Sequence, residues 1–430
     1  MILTGRAVLL VALGLAALAL TGLPEYLLAW GVACLAVFLV DWLLTPAPSR
    51  LVVQRAPLGS VRLSQQARTR LTVTNPGRRT VRGMLRDAWQ PSAGARPNRH
   101  ALLLPPGESV RLTTRLHPTR RGHRSTDWVT VRLTGPLRLT SRQFSAPVAG
   151  VLRVLPEFRS RRHLPSRLAR LREMDGRAAV NVRGPGTEFD SLREYVQGDD
   201  VRAIDWRATA RRQELVVRTW RPERDRRILV VVDTSRLAAA RLGGEPRLDA
   251  QIEAALLLTA LATSAGDRVD LVAVDAQVRA RASEHKGPAA LSAVAEALGP
   301  LDARLVEPDW PLVARLVRGT LSQRGLVVVL TAIEPAALES GLLDVVAALA
   351  GTHQVLVAGA LDPGATALTR ARAEVADLFT AAAAEQAGAE RAEVARLLRT
   401  GGTRVLECAP EELAPGVADA YLALKAAGRL

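Results

Sequence analysis

Two long apolar runs lie at the start of the chain, and a different pattern follows them. Ala7–Leu23 and Tyr26–Leu44 contain 17 and 19 residues, and only Pro24 and Glu25 separate them. A membrane-spanning helix needs roughly 17–25 apolar residues, so each run is just long enough. We therefore predict a transmembrane helical hairpin within residues 1–46. A cleaved signal peptide in the first run is the alternative interpretation.

The positions of the arginines predict how this hairpin is oriented. Arg6 precedes the first run, Arg50, Arg55 and Arg62 follow the second, and no basic residue lies between the runs. By the positive-inside rule, both ends of the chain are then expected on the cytoplasmic side of the cell membrane. The arginine-rich residues that follow would begin at the inner leaflet, where anionic lipids attract them.

Short runs in which apolar and polar residues alternate occupy residues 47–158. Turn signals such as Asn-Pro-Gly and Pro-Pro-Gly separate these runs at intervals typical of an all-β domain. The pattern predicts a β-sandwich. Residues 159–227 are rich in arginine. We predict that they form a linker over the surface and, in residues 188–220, a separate signature segment.

From Ile228 onward, continuous apolar runs alternate with amphipathic helical patterns. This alternation predicts a parallel sheet with helices on both faces, an α/β doubly wound domain over residues 228–430. The predicted strands lie within Ile228–Asp233, Arg268–Ala282, Gly325–Ile333, His353–Leu361 and Thr403–Cys408.

The charge is distributed unevenly along the chain. The net charge is +16, but residues 50–227 carry 38 arginines against 15 acidic residues, whereas the residues after them carry 19 basic and 25 acidic ones. A strongly basic middle favours an anionic membrane surface or an acidic partner. Nucleic acid is the less favoured partner, because aromatic residues for base stacking are scarce there. With only two lysines, Lys286 and Lys425, the chain contains no P-loop.

Asp233 and Ser235 come directly after the first predicted strand of the α/β domain. In open α/β sheets, ligands bind beyond the carboxyl ends of the strands. An ionised carboxylate beside apolar packing is costly unless a helix N-terminus, an arginine or a metal ion is its partner. These two residues are therefore the first candidates for a functional site.

Two features of the sequence resemble known families. The Asp-x-Ser loop after an apolar strand resembles that of a von Willebrand factor A-type domain, which has a Rossmann-type fold. Residues 188–220, EFDSLREYVQGDDVRAIDWRATARRQELVVRTW, resemble the signature of the bacterial domain-of-unknown-function family 58. This resemblance implies a partner of the MoxR type, an AAA+ ATPase usually encoded nearby, and a role as an adaptor in complex assembly or envelope processes.

The resemblance to A-type domains also implies a metal-ion-dependent adhesion site that binds Mg²⁺. Asp233 and Ser235 match two of its ligands, but Leu237 replaces a serine and Ala332 stands where an aspartate is expected. Asp309 is the candidate replacement for the threonine of the second loop. We therefore predict a degenerate metal site made of Asp233, Ser235 and Asp309. The alternative is that these side chains cap backbone amides without a metal.

The signature segment contains a second group of candidates. Asp199 and Asp200 are expected to cap backbone amides in a turn, and Arg202 is expected to pair with a carboxylate such as Asp205. The alternative is a partner-binding surface that includes these four residues and Trp206, together with the Asp233 loop.

The function predicted from the sequence is that of a membrane-anchored cytoplasmic adaptor and not of an enzyme. The six histidines are dispersed, and neither metalloprotease spacing nor a nucleophile elbow is present. Two alternatives stay open. One is a metal-dependent hydrolase built on Asp233 and Asp309, and the other is a binder of anionic lipid or nucleic acid through the arginine-rich middle.

Overall fold

The computed structural model describes residues 1–21, 25–181, 188–196, 199–221, 226–283, 287–370 and 375–430. Pro24, in the predicted connection of the hairpin, lies outside these residues. The chain divides into two compact units, Met1–Glu157 and Phe158–Leu430.

The first unit begins with two apolar helices, α1 (Gly5–Thr21) and α2 (Glu25–Leu44). A span around α2, Tyr26–Arg50, is 25 residues long and contains an 18-residue window with a mean hydropathy of 2.2, so by length and composition it can cross a membrane. The apolar stretch described for α1, Gly5–Ala17, is shorter. The sequence predicts two spanning helices, and one helix in the described part of the chain meets these criteria.

The rest of the first unit consists of two antiparallel sheets. One has the order β1-β9-β8-β5-β6, with the short β3 added in parallel to β9, and the other has the order β2-β4-β7. Leu71 and Val73 of the smaller sheet share a buried core with Leu85 and Val131 of the larger one, so the sheets pack face to face. The strands are β1 Ile2–Leu3, β2 Val52–Arg55, β3 Ser60–Arg62, β4 Ala67–Thr74, β5 Val81–Asp87, β6 Arg99–Leu104, β7 Ser109–Leu116, β8 Gly122–Thr134 and β9 Thr140–Leu155.

Helix α2 is joined to the turn between β8 and β9 through Asp41, which is fully buried. One oxygen of this carboxylate accepts a hydrogen bond from the Leu137 amide at 2.7 Å. The other accepts from the amides of Leu139 and Thr140, at 3.0 and 2.7 Å, and from the Thr140 hydroxyl at 2.9 Å. A single side chain of the apolar helix thereby satisfies three backbone amides of the sandwich.

The short strand β1 also belongs to the sandwich. Ile2 and Leu3 pair with Ser141 and Thr140 at the start of β9, and the Thr4 amide donates to the Leu139 carbonyl at 2.9 Å. The chain therefore leaves the sheet at β1, passes through α1 and α2, and returns to the same unit at β2.

The second unit is built on a six-stranded sheet with the order β16-β15-β12-β17-β18-β19, in which all strands but β16 run parallel. The strands of the second unit, inside and outside this sheet, are β10 Glu188–Glu194, β11 Val216–Arg221, β12 Arg227–Asp233, β13 Arg241–Leu242, β14 Glu245–Pro246, β15 Arg268–Val274, β16 Val278–Ala282, β17 Leu326–Leu330, β18 Gln354–Ala360 and β19 Arg404–Cys408. Its helices are α3 Leu164–Asn181, α4 Trp206–Arg212, α5 Arg247–Ser264, α6 Pro288–Leu298, α7 Trp310–Thr320, α8 Pro335–Glu339, α9 Leu342–Ala350, α10 Pro363–Leu368, α11 Val375–Thr400 and α12 Pro410–Ala426.

Both faces of this sheet are covered, because successive residues of a strand point to opposite sides. In β12, Ile228 and Val230 pack with side chains of α5, α6 and α12. Leu229 and Val231 pack instead with side chains of α7, α9 and α11. The continuous apolar runs predicted as strands are thus buried on two sides, and their carboxyl ends meet at one edge of the sheet.

Residues 159–181, which were predicted to lie in a surface linker, belong to this unit. Leu171 of α3 is 3% exposed and belongs to the core that contains α5 and α12. Leu164 and Leu168 pack beside it, at the spacing of one helical face. Arg167 also forms a salt bridge of 2.6 Å with Asp419. The arginines of this segment are the polar side of an amphipathic helix, and the helix is part of the second unit.

Candidate functional site

The loop that follows β12 and the loop that precedes α7 are joined at the carboxyl edge of the central sheet. The Arg304 amide donates to the Thr234 carbonyl at 2.8 Å, and the Arg236 amide donates to the Val306 carbonyl at 3.0 Å. The Thr234 amide is bonded in turn to the Val274 carbonyl at the end of β15. These main-chain hydrogen bonds fix the two loops beside each other.

Asp233 lies under these loops and is 2% exposed. One of its carboxylate oxygens accepts a hydrogen bond from the Ser235 amide at 2.8 Å, and the other accepts from the Thr331 hydroxyl at 2.6 Å. The Ser235 hydroxyl accepts in turn from the Leu237 amide at 3.3 Å. Asp233 and Ser235 therefore stabilise the turn after β12, as the capping interpretation predicts.

The positive charge near this carboxylate comes from Arg247, the first residue of α5, which is buried. Its guanidinium donates to the Leu237 carbonyl at 2.7 Å and to the Glu334 carboxylate. Burial raises the pKa of the Asp233 carboxyl above its ordinary value, while the hydrogen bonds from Ser235 and Thr331 and the charge of Arg247 oppose the rise. The guanidinium thus bridges the loop after β12 and the loop after β17.

Asp309 is engaged at the start of its own helix. Its side chain accepts a hydrogen bond from the Leu312 amide at 2.7 Å and so caps α7, and its second oxygen lies 3.7 Å from Arg315. Glu307, the other acidic residue of this loop, pairs with Arg236 at 2.7 Å. None of the contacts described for Asp309 joins it to Asp233.

The side chains at the predicted metal site fit a Mg²⁺ ion only in part. Both oxygens of Asp233 already accept hydrogen bonds from protein donors, and Leu237 and Ala332 are buried apolar side chains without ligand atoms. Within the described part of the chain, no three His, Cys, Asp or Glu side chains form a group that could hold a metal ion. A magnesium ion at Asp233 would have to bind a carboxylate that is only 2% exposed. Binding by Asp233, Ser235 and Asp309 stays a prediction.

The carboxylates of the signature segment make the turn contacts expected of them. Asp199 accepts from the Val196 amide at 2.9 Å and pairs with Arg193, and Asp200 accepts from the Arg202 amide at 2.9 Å. Asp205 caps α4. Its side chain accepts from the Arg207 and Ala208 amides, each at 3.0 Å.

The partner of Asp205 is Arg218 of β11, whose Nε donates at 2.8 Å. Hydrogen bonds from the Ala208 amide and from this guanidinium hold the pKa of the Asp205 carboxyl below its ordinary value. Asp205 is held beside β11 by its own amide, which donates to the Val216 carbonyl at 2.9 Å, and Arg202 places its backbone amide on Asp200. The pairing of the Arg202 side chain with a carboxylate such as Asp205 is not among the described contacts and stays a prediction.

Large apolar side chains in both regions remain exposed. Trp206 is 66% exposed at the first position of α4, and Val201 beside it is exposed to a similar degree. Leu305, between the two bonded residues Arg304 and Val306, is 85% exposed. Of the residues predicted to bind a partner, Trp206 is thus available to a second protein, while the carboxylates are engaged within the chain.

Four residues of this edge are absent from the predictions made from the sequence. Thr331 follows the apolar strand β17 directly, and this position is the signal that could have identified it. Arg247 gives no comparable signal, because it is one arginine among many. Leu305 and Val306 form an isolated apolar pair within a polar loop, which is a recognisable sign of an exposed contact residue.

The fold and this edge define a protein with an antiparallel β unit and an α/β unit whose strand-end loops are stabilised by buried polar contacts. Residues 191–395 match the family model described as protein of unknown function DUF58, which supports membership of this family. It is 28% identical over 244 residues to the uncharacterized proteins Rv1480 of Mycobacterium tuberculosis and Mb1516 of Mycobacterium bovis. The match covers 52% of this chain and 75% of each relative.

Among solved structures, the CARDB domain of a Pyrococcus furiosus protein matches 25% of this chain and 94% of its own, at 18% identity and a TM-score of 0.19. A Porphyromonas gingivalis protein of unknown function matches 25% of this chain and 49% of its own, at 18% identity and a TM-score of 0.20. At these scores neither match carries an argument about the present chain.

Proposed function

We propose that the chain is a membrane-anchored cytoplasmic adaptor whose α/β unit, of the von Willebrand factor A-like kind, binds a protein partner at the carboxyl edge of its central sheet. Helix α2 supplies the anchor, and α1 forms the second half of a transmembrane hairpin. The arginines that flank this pair support a cytoplasmic location for both ends of the chain.

The observation that carries the proposal is the exposure of Leu305 on a fixed loop. A single exposed leucine on a protein surface is ordinary. Here, however, main-chain hydrogen bonds on both sides of Leu305 hold its loop against the Asp233 turn. A backbone that is fixed before binding loses less conformational entropy when a partner covers its side chains.

The surroundings of Leu305 also support a docking role. Two charged pairs involve residues of the same loop, Glu307 with Arg236 and Asp309 with Arg315, and their side chains are exposed. An apolar centre within a polar, solvent-accessible rim is the usual composition of a protein interface. In this proposal Asp233 and Ser235 fix the shape of the edge, and Trp206 supplies a second contact.

The partner proposed is a MoxR-type AAA+ ATPase, which is what the family resemblance implies. The test uses the purified full chain in nanodiscs and the purified MoxR-type ATPase of the same organism, with the dissociation constant measured by biolayer interferometry. We expect Leu305→Ser to weaken binding about tenfold or more, because buried apolar anchors dominate interface energies. The matched control is Leu137→Ser, which alters an exposed leucine of the first unit.

Equal affinities for Leu305→Ser and the wild type would refute the docking edge. The same measurement with and without magnesium, on the wild type and Asp233→Asn, tests the metal prediction. Binding that requires magnesium and is lost in Asp233→Asn would support a metal site, and indifference to both would support capping. A C-terminal tag that proves accessible from outside intact cells would refute the proposed orientation.

A further inference from the structure

The outer face of the smaller sheet of the sandwich carries a row of three arginines. Arg68 of β4 lies directly opposite Arg115 of β7. On its other side, Arg115 is paired with Arg96 through an isolated antiparallel bridge. All three side chains are exposed, whereas the chain neighbours of Arg68 and Arg115 are buried. The three arginines therefore lie on one face at one register.

The hydrogen-bond pattern shows how close their backbone positions are. Arg96 and Arg115 exchange both main-chain bonds, at 2.8 and 2.9 Å, which defines a hydrogen-bonded pair with Cα atoms about 5.5 Å apart. Because the amide and carbonyl of Arg115 both point towards Arg96, its pair with Arg68 is of the other type, with Cα atoms about 4.5 Å apart. The Cα atoms of the three arginines thus span about 10 Å.

Like charges directly opposite each other destabilise a strand pair. Among the salt bridges and side-chain hydrogen bonds of the described residues, none brings an acceptor to Arg68, Arg96 or Arg115. The same unit does neutralise its buried arginine, Arg55, which pairs with Asp87 at 2.7 Å. The row on the outer face therefore keeps three uncompensated positive charges within reach of one ligand.

These arginines line a groove together with Pro97 and Thr113, and its volume is about 430 Å³. This volume is in the range of small-molecule sites, roughly 300–1,000 Å³. Guanidinium groups bind phosphate oxygens with two parallel hydrogen bonds, and the Thr113 hydroxyl adds a donor. We propose that this groove binds a small, water-soluble ligand that carries two or more phosphate groups.

The strand register argues for a soluble ligand and against a lipid headgroup. Helix α2 leads into β2 at Val52, which pairs with Thr74, the last residue of β4. Arg68 lies six residues from Thr74 along the same strand, or about 20 Å at 3.4 Å per residue. The groove is therefore distant from the end of the sandwich at which the apolar helix enters. This inference does not depend on the proposed adaptor function.

The test is isothermal titration of the full chain, in phosphatidylcholine nanodiscs, with inorganic triphosphate. We expect saturable binding that Arg68→Gln and Arg115→Gln each weaken about tenfold or more, as expected for loss of a charge-assisted hydrogen bond. The matched control is Arg111→Gln. Arg111 is exposed on the same face of β7, lies opposite Thr72 and does not line the groove, so we expect a change within about twofold.

Equal loss in all three variants would show general charge attraction and overturn the proposal, as would the absence of saturable binding. Loss of triphosphate binding in nanodiscs that contain phosphatidylglycerol would assign the groove to lipid headgroups instead. Displacement of triphosphate by a single-stranded oligonucleotide whose binding also needs Arg111 would assign the face to nucleic acid. Without ligand, Arg115→Gln should melt at the same or a higher temperature than the wild type, because it removes a like-charge contact.

Discussion

Replacement of Asp41 tests whether helix α2 and the sandwich form one folding unit. In the structure this buried carboxylate accepts hydrogen bonds from three backbone amides and one hydroxyl of residues 137–140. Asp41→Ala leaves all four donors without their acceptor. Hydrogen bonds to charged groups each contribute about 1.5–3 kcal/mol, but water reaches part of the turn and such losses are not additive.

We therefore expect Asp41→Ala to lower the free energy of unfolding of the first unit by about 3–5 kcal/mol, because several donors in the turn lose their acceptor at about 1–3 kcal/mol each and the losses add only in part. Asp41→Asn should cost about 2 kcal/mol, because its amide nitrogen would face an N–H donor while its oxygen keeps part of the contacts. Since whole domains are stable by only about 5–15 kcal/mol, either loss is measurable.

The assay is hydrogen exchange of the full chain in nanodiscs, followed at the amides of Leu137, Leu139 and Thr140. We expect these amides to lose protection in Asp41→Asn while the core amides of β8 keep theirs. Asp127→Asn is the matched control, because Asp127 is an exposed aspartate of the same unit. Unchanged protection at all three amides in Asp41→Asn would refute the reasoning.

Three further predictions concern the second unit. Leu171→Ala should lower its free energy of unfolding by about 2–5 kcal/mol in urea titrations, whereas Leu215→Ala, at an exposed site, should change it far less; equal effects would contradict the placement of α3 in the core. Because burial raises the pKa of the Asp233 carboxyl, the folded state binds a proton there more tightly than the unfolded chain does. The stabilisation of the folded state by this proton is therefore lost as the pH rises from about 3.9 through the folded pKa. The stability of Asp233→Asn relative to the wild type should therefore increase across this window and then level off, and a flat difference in unfolding experiments would contradict the raised pKa. Burial raises the pKa of Cys408 to about 11, so in a Cys34→Ala background its alkylation by iodoacetamide at neutral pH should be about a hundredfold slower than that of a thiol with a pKa of about 8.5; a rate equal to that of a free thiol would show that the site is open.

The strands of both units could be predicted because their patterns are local. In β4, alternate residues face the core and solvent, and in β12 every residue from Ile228 to Asp233 is buried, so period two and continuous apolar runs each predicted the observed strands. Residues 159–181 were interpreted as a linker because their many arginines obscured the apolar face of α3. Charge content is a property of the exposed side of such a helix and does not reveal whether its other side is covered.

Contacts between distant parts of the chain could not be predicted. Asp41 has its partners 96–99 residues away, and a lone acid in an apolar run does not identify them. Arg202 is close to Asp205 in sequence, but the partner described for that carboxylate is Arg218 of β11. The position of Asp233 at a strand end was predictable, whereas its acceptance of the Thr331 hydroxyl depends on which strand neighbours β12.

The pairing of β1 with β9 has a consequence for biosynthesis. Thr4, next to β1, is bonded to a residue 134 positions further along the chain, so the first strand must wait for most of the sandwich to leave the ribosome before it finds its place. The two apolar helices emerge long before that moment and are free to meet a translocon or bilayer while the sheet is still open. Membrane insertion would then precede closure of the β unit, and a bulky fusion placed before Ile2 should impair the second step more than the first.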